Sequence, residues 1–159
     1  MNFQISQTEN KEDLASCAHM MSESDPWLTL GRDYAACLRS FTGPNKEVYV
    51  MTENDRLMGF AILQMAGTFR GYVQTLFISP DVRGRGMGTF LLKFCEEEIF
   101  HISPNVFLCV SSFNEMAEKL YKLHGYERIG VIKDFITRGY DEILYRKTIG
   151  PSADFVPKK

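Results

Sequence analysis

The sequence predicts an α/β domain built on a mixed, mostly antiparallel sheet with helices on both faces. Three observations carry that prediction. The strand-like run Tyr72–Ile78, the apolar helical stripe beginning at Met87 and the strand-like run 106–110 form a strand-helix-strand unit, which implies a parallel neighbour reached by a right-handed crossover. Upstream, 47–52 and 57–65 flank the polar turn Glu53-Asn54-Asp55-Arg56 and lead into Tyr72, an antiparallel meander of three strands. Downstream, 126–132 and 142–147 read as closing antiparallel strands.

Taken in order, Phe3-Gln4-Ile5 is a short first strand, and Thr8 or Asn10 caps a helix running to Met21 through Leu14, Cys17 and Ala18. Ser22-Glu23-Ser24-Asp25-Pro26 breaks it. A second helix over 28–41 is expected from Tyr34, Cys37, Leu38 and Phe41 at helical spacing, ended by Thr42-Gly43-Pro44-Asn45. Ser79-Pro80-Asp81 stops the central strand, because proline cannot donate to a ladder. Met87, Phe90, Leu91, Phe94, Cys95 and Ile99 then form one helical stripe, with Glu96-Glu97-Glu98 expected on a solvated face. Asparagine at 114 suits the start of a helix to Leu123, and Gly125 suits its stop. Residues 1–149 are expected to form one domain, with a loosely held tail over 150–159.

Between the central strand and the long helix lies Arg83-Gly84-Arg85-Gly86-Met87-Gly88. Glycines at a helix start let the backbone approach a ligand, and the unpaired amides of the first turn point outward with the positive end of the dipole. With two guanidinium groups beside them, the turn suits a phosphorylated guest, a pyrophosphate by preference. The plainer alternative is a glycine-rich connection that only turns the chain. A P-loop would need lysine before the Thr89 hydroxyl, and a dinucleotide fingerprint would need glycine at Thr89.

Arg-x-x-Gly-x-Gly over 83–88 resembles the acetyl-CoA-binding motif of the GNAT N-acetyltransferase superfamily. The run Asn114-Glu115-Met116-Ala117-Glu118-Lys119-Leu120-Tyr121, followed by Gly125-Tyr126, resembles that family's Asn-x-x-Ala-x-x-x-Tyr helix in the expected order. The resemblance covers about 48–147. It implies a GNAT fold whose parallel strands splay apart at the cofactor site, and direct transfer of an acetyl group from acetyl-CoA to an amine. Leu76, Phe77 and Ile78 would then meet the pantetheine arm. The turn Arg83, Gly84, Arg85, Gly86, Met87, Gly88 and Thr89 would take the pyrophosphate, mainly through backbone amides.

The resemblance also implies that Asn114 reaches the cofactor, though the same residue is an apt helix cap. Tyr121 would sit near the thioester sulfur and protonate the departing thiolate; its other reading is a core aromatic. Trp27 either plugs the junction between the first two helices or walls the acceptor pocket, and the loop 133–140 would lie over the acceptor. Gln74, Thr75 and Cys109 stand where many relatives carry a catalytic glutamate. A lysine-like amine costs roughly 4–5 kcal/mol to deprotonate at pH 7, an α-amine only about 1–1.5 kcal/mol. A low-pKa amine, or a water chain to Asp25, Asp134 or Asp141, would answer the missing base. A non-catalytic acyl-CoA sensor is the alternative, and that gap is its support.

Composition sets the remaining bounds. The chain has 159 residues, 45% hydrophobic, enough for one well-buried domain. A net charge of -2 gives no strongly basic face, so a small-molecule or protein amine is the expected partner rather than nucleic acid, with room left for a homodimer. Cys17, Cys37, Cys95 and Cys109 are widely separated, and His19, His101 and His124 sit on separate segments, so no metal is expected. Reduced thiols and the absence of a leader-like or membrane-spanning run point to the cytoplasm.

Overall fold

The computed structural model describes residues 2–158. Its elements are β1 (Phe3–Gln7), α1 (Lys11–Ser22), α2 (Tyr34–Arg39), β2 (Lys46–Glu53), β3 (Arg56–Gln64), β4 (Tyr72–Ile78), α3 (Met87–Phe100), β5 (Asn105–Ser111), α4 (Glu115–Leu123), β6 (Glu127–Ile132) and β7 (Glu142–Thr148). The strands form one seven-stranded sheet in the order β1-β2-β3-β4-β5-β7-β6. Every neighbouring pair is antiparallel except β4 and β5. Among the described residues no helix is long and apolar enough to cross a membrane.

Period-two alternation in β2 and β3 assigns the two faces of the sheet. Val48, Val50, Phe60 and Ile62 pack against Cys17, Ala18 and Met21 of α1 and Cys37 of α2. Tyr49, Ala61 and Leu63 point the other way, onto Leu91, Leu92, Cys95 and Ile99 of α3 and Tyr121 of α4. Burying each such large side chain contributes about 1.5–3 kcal/mol, so both helical layers are held mainly by apolar contact.

Three expectations change here. The second helix is only Tyr34–Arg39, because Gly31 takes a left-handed φ of 68° and Asp33 opens a fresh helix by accepting from Ala36 N at 2.8 Å. The segment before it is a series of turns closed by Leu30 N to Pro26 O and Arg32 N to Trp27 O, at 3.0 and 2.9 Å.

The acidic run of α3 is not uniformly solvated. Glu96 follows Leu92 by four residues and precedes Ile99 by three, so helical spacing carries it onto the buried face. There it is 6% exposed, and Lys147 Nζ on β7 donates to its Oε2 at 2.8 Å. Phe90, expected on the stripe, is exposed, with its ring 5.4 Å from that of Phe3; Leu92 takes its place inside. Beyond β7, the chain makes a short turn at Ser152–Asp154 and Lys158 N donates to His101 O at 3.0 Å, which fastens this end to the C-terminus of α3.

The feature that positions the site is a bulge in β4. Val73 faces Leu63 and Thr75 faces Ile62, so Gln74 is an extra residue with no partner of its own on β3. A bulge bends its strand and reverses its facing pattern. Val73 therefore packs with α3, whereas Phe77 lies on the opposite face, stacked on Phe60 at 4.9 Å. Gln74 Nε2 donates to Ser40 O at 3.0 Å, pinning the bulge to the end of α2. Parallel pairing with β5 ends at the same place, with only Tyr72 opposite Phe107 and Val73 opposite Leu108.

Candidate active site

Beyond Val73 the two parallel strands are no longer paired, and a cleft of about 620 Å³ lies between the end of β4 and α4. The glycine turn lies along this cleft, with Arg83, Gly84, Gly86, Gly88 and Thr89 lining it, and Leu76, Phe77 and Ile78 of β4 form one wall. Asn114, Ala117, Leu120 and Tyr121 of α4 form the opposite wall, so the two sequence motifs face each other across one space.

The turn is anchored from behind. Pro80–Val82 forms a 3-10 turn, and Asp81 accepts from Ser79 Oγ and pairs with Arg56, which together hold its carboxyl below the usual range. Gly84 and Gly86 have left-handed φ of 77° and 79°, and a Cβ added at either would project into open space. Gly86 is the N-cap of α3 and offers no side chain to cap it, so the first-turn amides at Met87, Gly88 and Thr89 have no capping side chain. An open, uncapped helix start with Arg83 lining the same cleft fits a diphosphate. Met87 itself is buried against Met51, Met58 and Val82, so only its backbone amide is available to a ligand. Arg83 Nε donates to Ile78 O at 3.0 Å, and its guanidinium lies 6.0 Å from the centre of the Phe77 ring.

Asn114 is the cap of α4 and borders the cleft, its Oδ1 accepting from Ala117 N at 3.3 Å. Tyr121 is 7% exposed, packed edge to face on Tyr126 at a centroid distance of 5.7 Å. Burial pushes its phenol pKa up, so the hydroxyl carries its proton at neutral pH, as a proton donor must. Trp27 packs on Phe77 at 5.9 Å and lines the cleft.

A second cavity of about 100 Å³ joins the cleft, sharing Trp27, Leu76, Asn114 and Tyr121 with it. It is bounded by Tyr72, Gln74 and Thr75 of β4, Cys109 and Ser111 of β5, Leu30, Ile136 and Glu142. The loop 133–140 reaches it through Ile136, held in place where Thr137 Oγ1 donates to Leu30 O at 2.7 Å. Glu142 is the residue that sequence reasoning missed. It is 3% exposed, Ser111 Oγ donates to its Oε1 at 2.6 Å, and burial raises its pKa while the Ser111 bond pulls it down. One signal was present: Leu144 shares its strand face, which marks that face as covered too.

The surface carboxylates considered as proton acceptors are occupied in turns. Asp25 accepts from both Thr29 N and Thr29 Oγ1, at 3.0 and 2.6 Å, which lowers its pKa. Asp134 accepts from Gly139 N, and Asp141 from Asp134 N. The Cys109 thiol is raised by burial, which leaves it a poor nucleophile. His124 Nε2 lies 3.1 Å from Thr89 Oγ1, joining the two motif helices. Among the described residues no group of three or more His, Cys, Asp or Glu side chains could hold a metal ion.

The family model described as "Acetyltransferase (GNAT) family" matches residues 10–126. A longer, uncharacterised protein of Mycobacterium leprae (strain TN) is 30% identical over 85% of this chain, and the chain spans 38% of its length. The N-alpha-acetyltransferase RimI of Mycobacterium tuberculosis (strain ATCC 25618 / H37Rv) is 27% identical over 88% of this chain and 89% of its own. Among solved structures, an aminoglycoside 6'-N-acetyltransferase complexed with coenzyme A shares the fold with a TM-score of 0.72, at 17% identity over 93% of this chain and 98% of that one.

Proposed function

This chain belongs to the GNAT acetyltransferase family, and from that premise we propose that it is an acetyl-CoA-dependent N-acetyltransferase acting on a primary amine of a small molecule or protein. The observation that carries the proposal is the end of β4–β5 pairing at Val73 and Leu108, which opens the cleft beside an uncapped, glycine-bounded helix start. One relative is named an N-alpha-acetyltransferase and one structural neighbour contains coenzyme A, which supports the same reading.

Acetyl-CoA supplies a thioester whose acetyl carbon an amine attacks as the thiolate departs. Everything else falls to the chain. Amides at Gly84, Gly86, Gly88 and Thr89 face the diphosphate position, and the open strand edge from Leu76 to Ile78 offers backbone groups to the pantetheine amides. Asn114 borders both spaces. Tyr121, buried and protonated, stands where the cleft meets the small cavity and donates its proton to the departing sulfur. The rival reading, a sensor without turnover, rests on the missing carboxylate at Gln74, Thr75 and Cys109; a carboxylate at the small cavity, Glu142, supports the turnover reading instead. The four unpaired thiols accord with a cytoplasmic setting.

The test is release of CoA thiol from acetyl-CoA across a panel of primary amines, with the acetylated amine identified by mass. Amine-dependent thiol supports the proposal. Tight acetyl-CoA binding with no acceptor-dependent thiol for any amine leaves the sensor reading standing instead.

A further inference from the structure

Resting on that reading, we propose that Glu142 is the group that takes the proton from the acceptor, and that the small cavity receives the acceptor's charged ammonium head. The cavity's volume of about 100 Å³ corresponds to roughly three water molecules. That is room for an aminomethyl group and little more, so the body of the acceptor stays outside.

The side chains that line this cavity include one carboxylate, Glu142, and no lysine or arginine. The elements that line the cavity with Glu142 contribute neutral groups, and Ile132, its register partner on β6, is neutral too. Tyr72 comes from β4, Cys109 and Ser111 from β5, Tyr121 from α4 and Ile136 from the loop above. Ser111 engages Oε1, and the other oxygen has no hydrogen-bond partner among the described residues, which leaves it to the cavity. An anion buried with a hydroxyl as its one donor is costly unless a cation joins it. An ammonium group supplies that cation.

The step is a single proton transfer. An N–H bond of the ammonium breaks, its electron pair stays on nitrogen, and an O–H bond forms on Glu142. The amine is then neutral and nucleophilic at the mouth of the cavity, beside Tyr121, and Glu142 later returns its proton to water. Burial favours this exchange, because it raises the carboxylate's affinity for a proton towards that of the amine. Glu142 stands on β7, directly opposite Ser111 of β5. It therefore reaches the acceptor space from the strand beside the one on which a base was sought.

The test combines Glu142→Gln and Ser111→Ala with the best amine acceptor of the wild type. Glutamine keeps the size and the bond from Ser111, so acetyl-CoA affinity should be unchanged while kcat/KM at pH 7 falls about 100-fold. The deficit should shrink at high pH, where the amine loses its proton unaided. Ser111→Ala removes a bond that stabilises the carboxylate, so the acid limb of its rate profile should move to higher pH. The same shift should appear without turnover, as the 13C carboxyl resonance of Glu142 titrating above the usual glutamate range and higher still in Ser111→Ala. Full activity of Glu142→Gln with an unaltered pH profile, or a Glu142 resonance that titrates normally, overturns the role while leaving acetyl transfer intact. Wild-type protein that acetylates no amine overturns both.

Discussion

Val73 and Leu108 are the last residues of β4 and β5 that face one another in the parallel pair. The next residue of β4, Gln74, is the bulge, and from there the strand bends away from its neighbour. One inserted residue thus ends the ladder and opens a wall of backbone to the cleft. It also brings Thr75, rather than Gln74, opposite Ile62 on β3.

Gly86→Val should abolish acetyl-CoA binding. Valine at a φ of 79° is strained by about 1–2 kcal/mol, and its Cβ would enter the space in front of the first-turn amides. Calorimetric titration of acetyl-CoA, with circular dichroism confirming the fold, checks this; wild-type affinity in the variant would remove the proposed phosphate site.

Tyr121→Phe should lower kcat by about 10–100-fold with acetyl-CoA affinity within about twofold. The ring and its contact with Tyr126 remain and only the proton donor goes. Steady-state kinetics with separate titration of the cofactor reads the split.

Glu142→Gln should raise the melting temperature at neutral pH. The folded pKa of Glu142 is raised, so the native state binds its proton more tightly than the unfolded chain does. Stability from this group is therefore present in acid and is lost as pH rises from the unfolded value through the folded one. Glutamine has no such loss, and its advantage should vanish below about pH 4, near the unfolded value. Thermal unfolding at several pH values tests the sign.

Lys147→Met should destabilise the fold by roughly 2–3 kcal/mol, because it leaves Glu96 buried without its cation. The double variant Glu96→Gln with Lys147→Met should recover most of that loss in denaturant unfolding.

Gly59→Ala should cost about 1–3 kcal/mol. An added Cβ would lie 2.6 Å from Phe77 O and 2.8 Å from Ile78 Cδ1, and the first of these is backbone that cannot swing aside. The same push would displace the cleft wall, so cofactor affinity should fall together with stability.

The sequence made most of the sheet readable, since Tyr72–Ile78 and Met87 onward announce themselves by period and by their flanking proline and glycines. The two motifs located the cleft. What escaped depends on tertiary geometry. A bulge leaves no mark in a run of seven strand-forming residues, because Gln74 is displaced by pairing rather than by propensity. Glu142 lies in a run that reads only as a closing strand, and its burial is set by what packs around it. Glu96 was hidden by its charged neighbours, although its spacing from Leu92 and Ile99 was already that of a core position. Gly31, a single left-handed residue, halved the second helix.

The most direct measurement is an amide-resolved NMR titration of the protein with acetyl-CoA. The account predicts that backbone N–H resonances of Gly84 to Thr89 and of Leu76 to Ile78 move together and saturate at one stoichiometric equivalent. Saturable binding that leaves those amides in place and shifts others would contradict it.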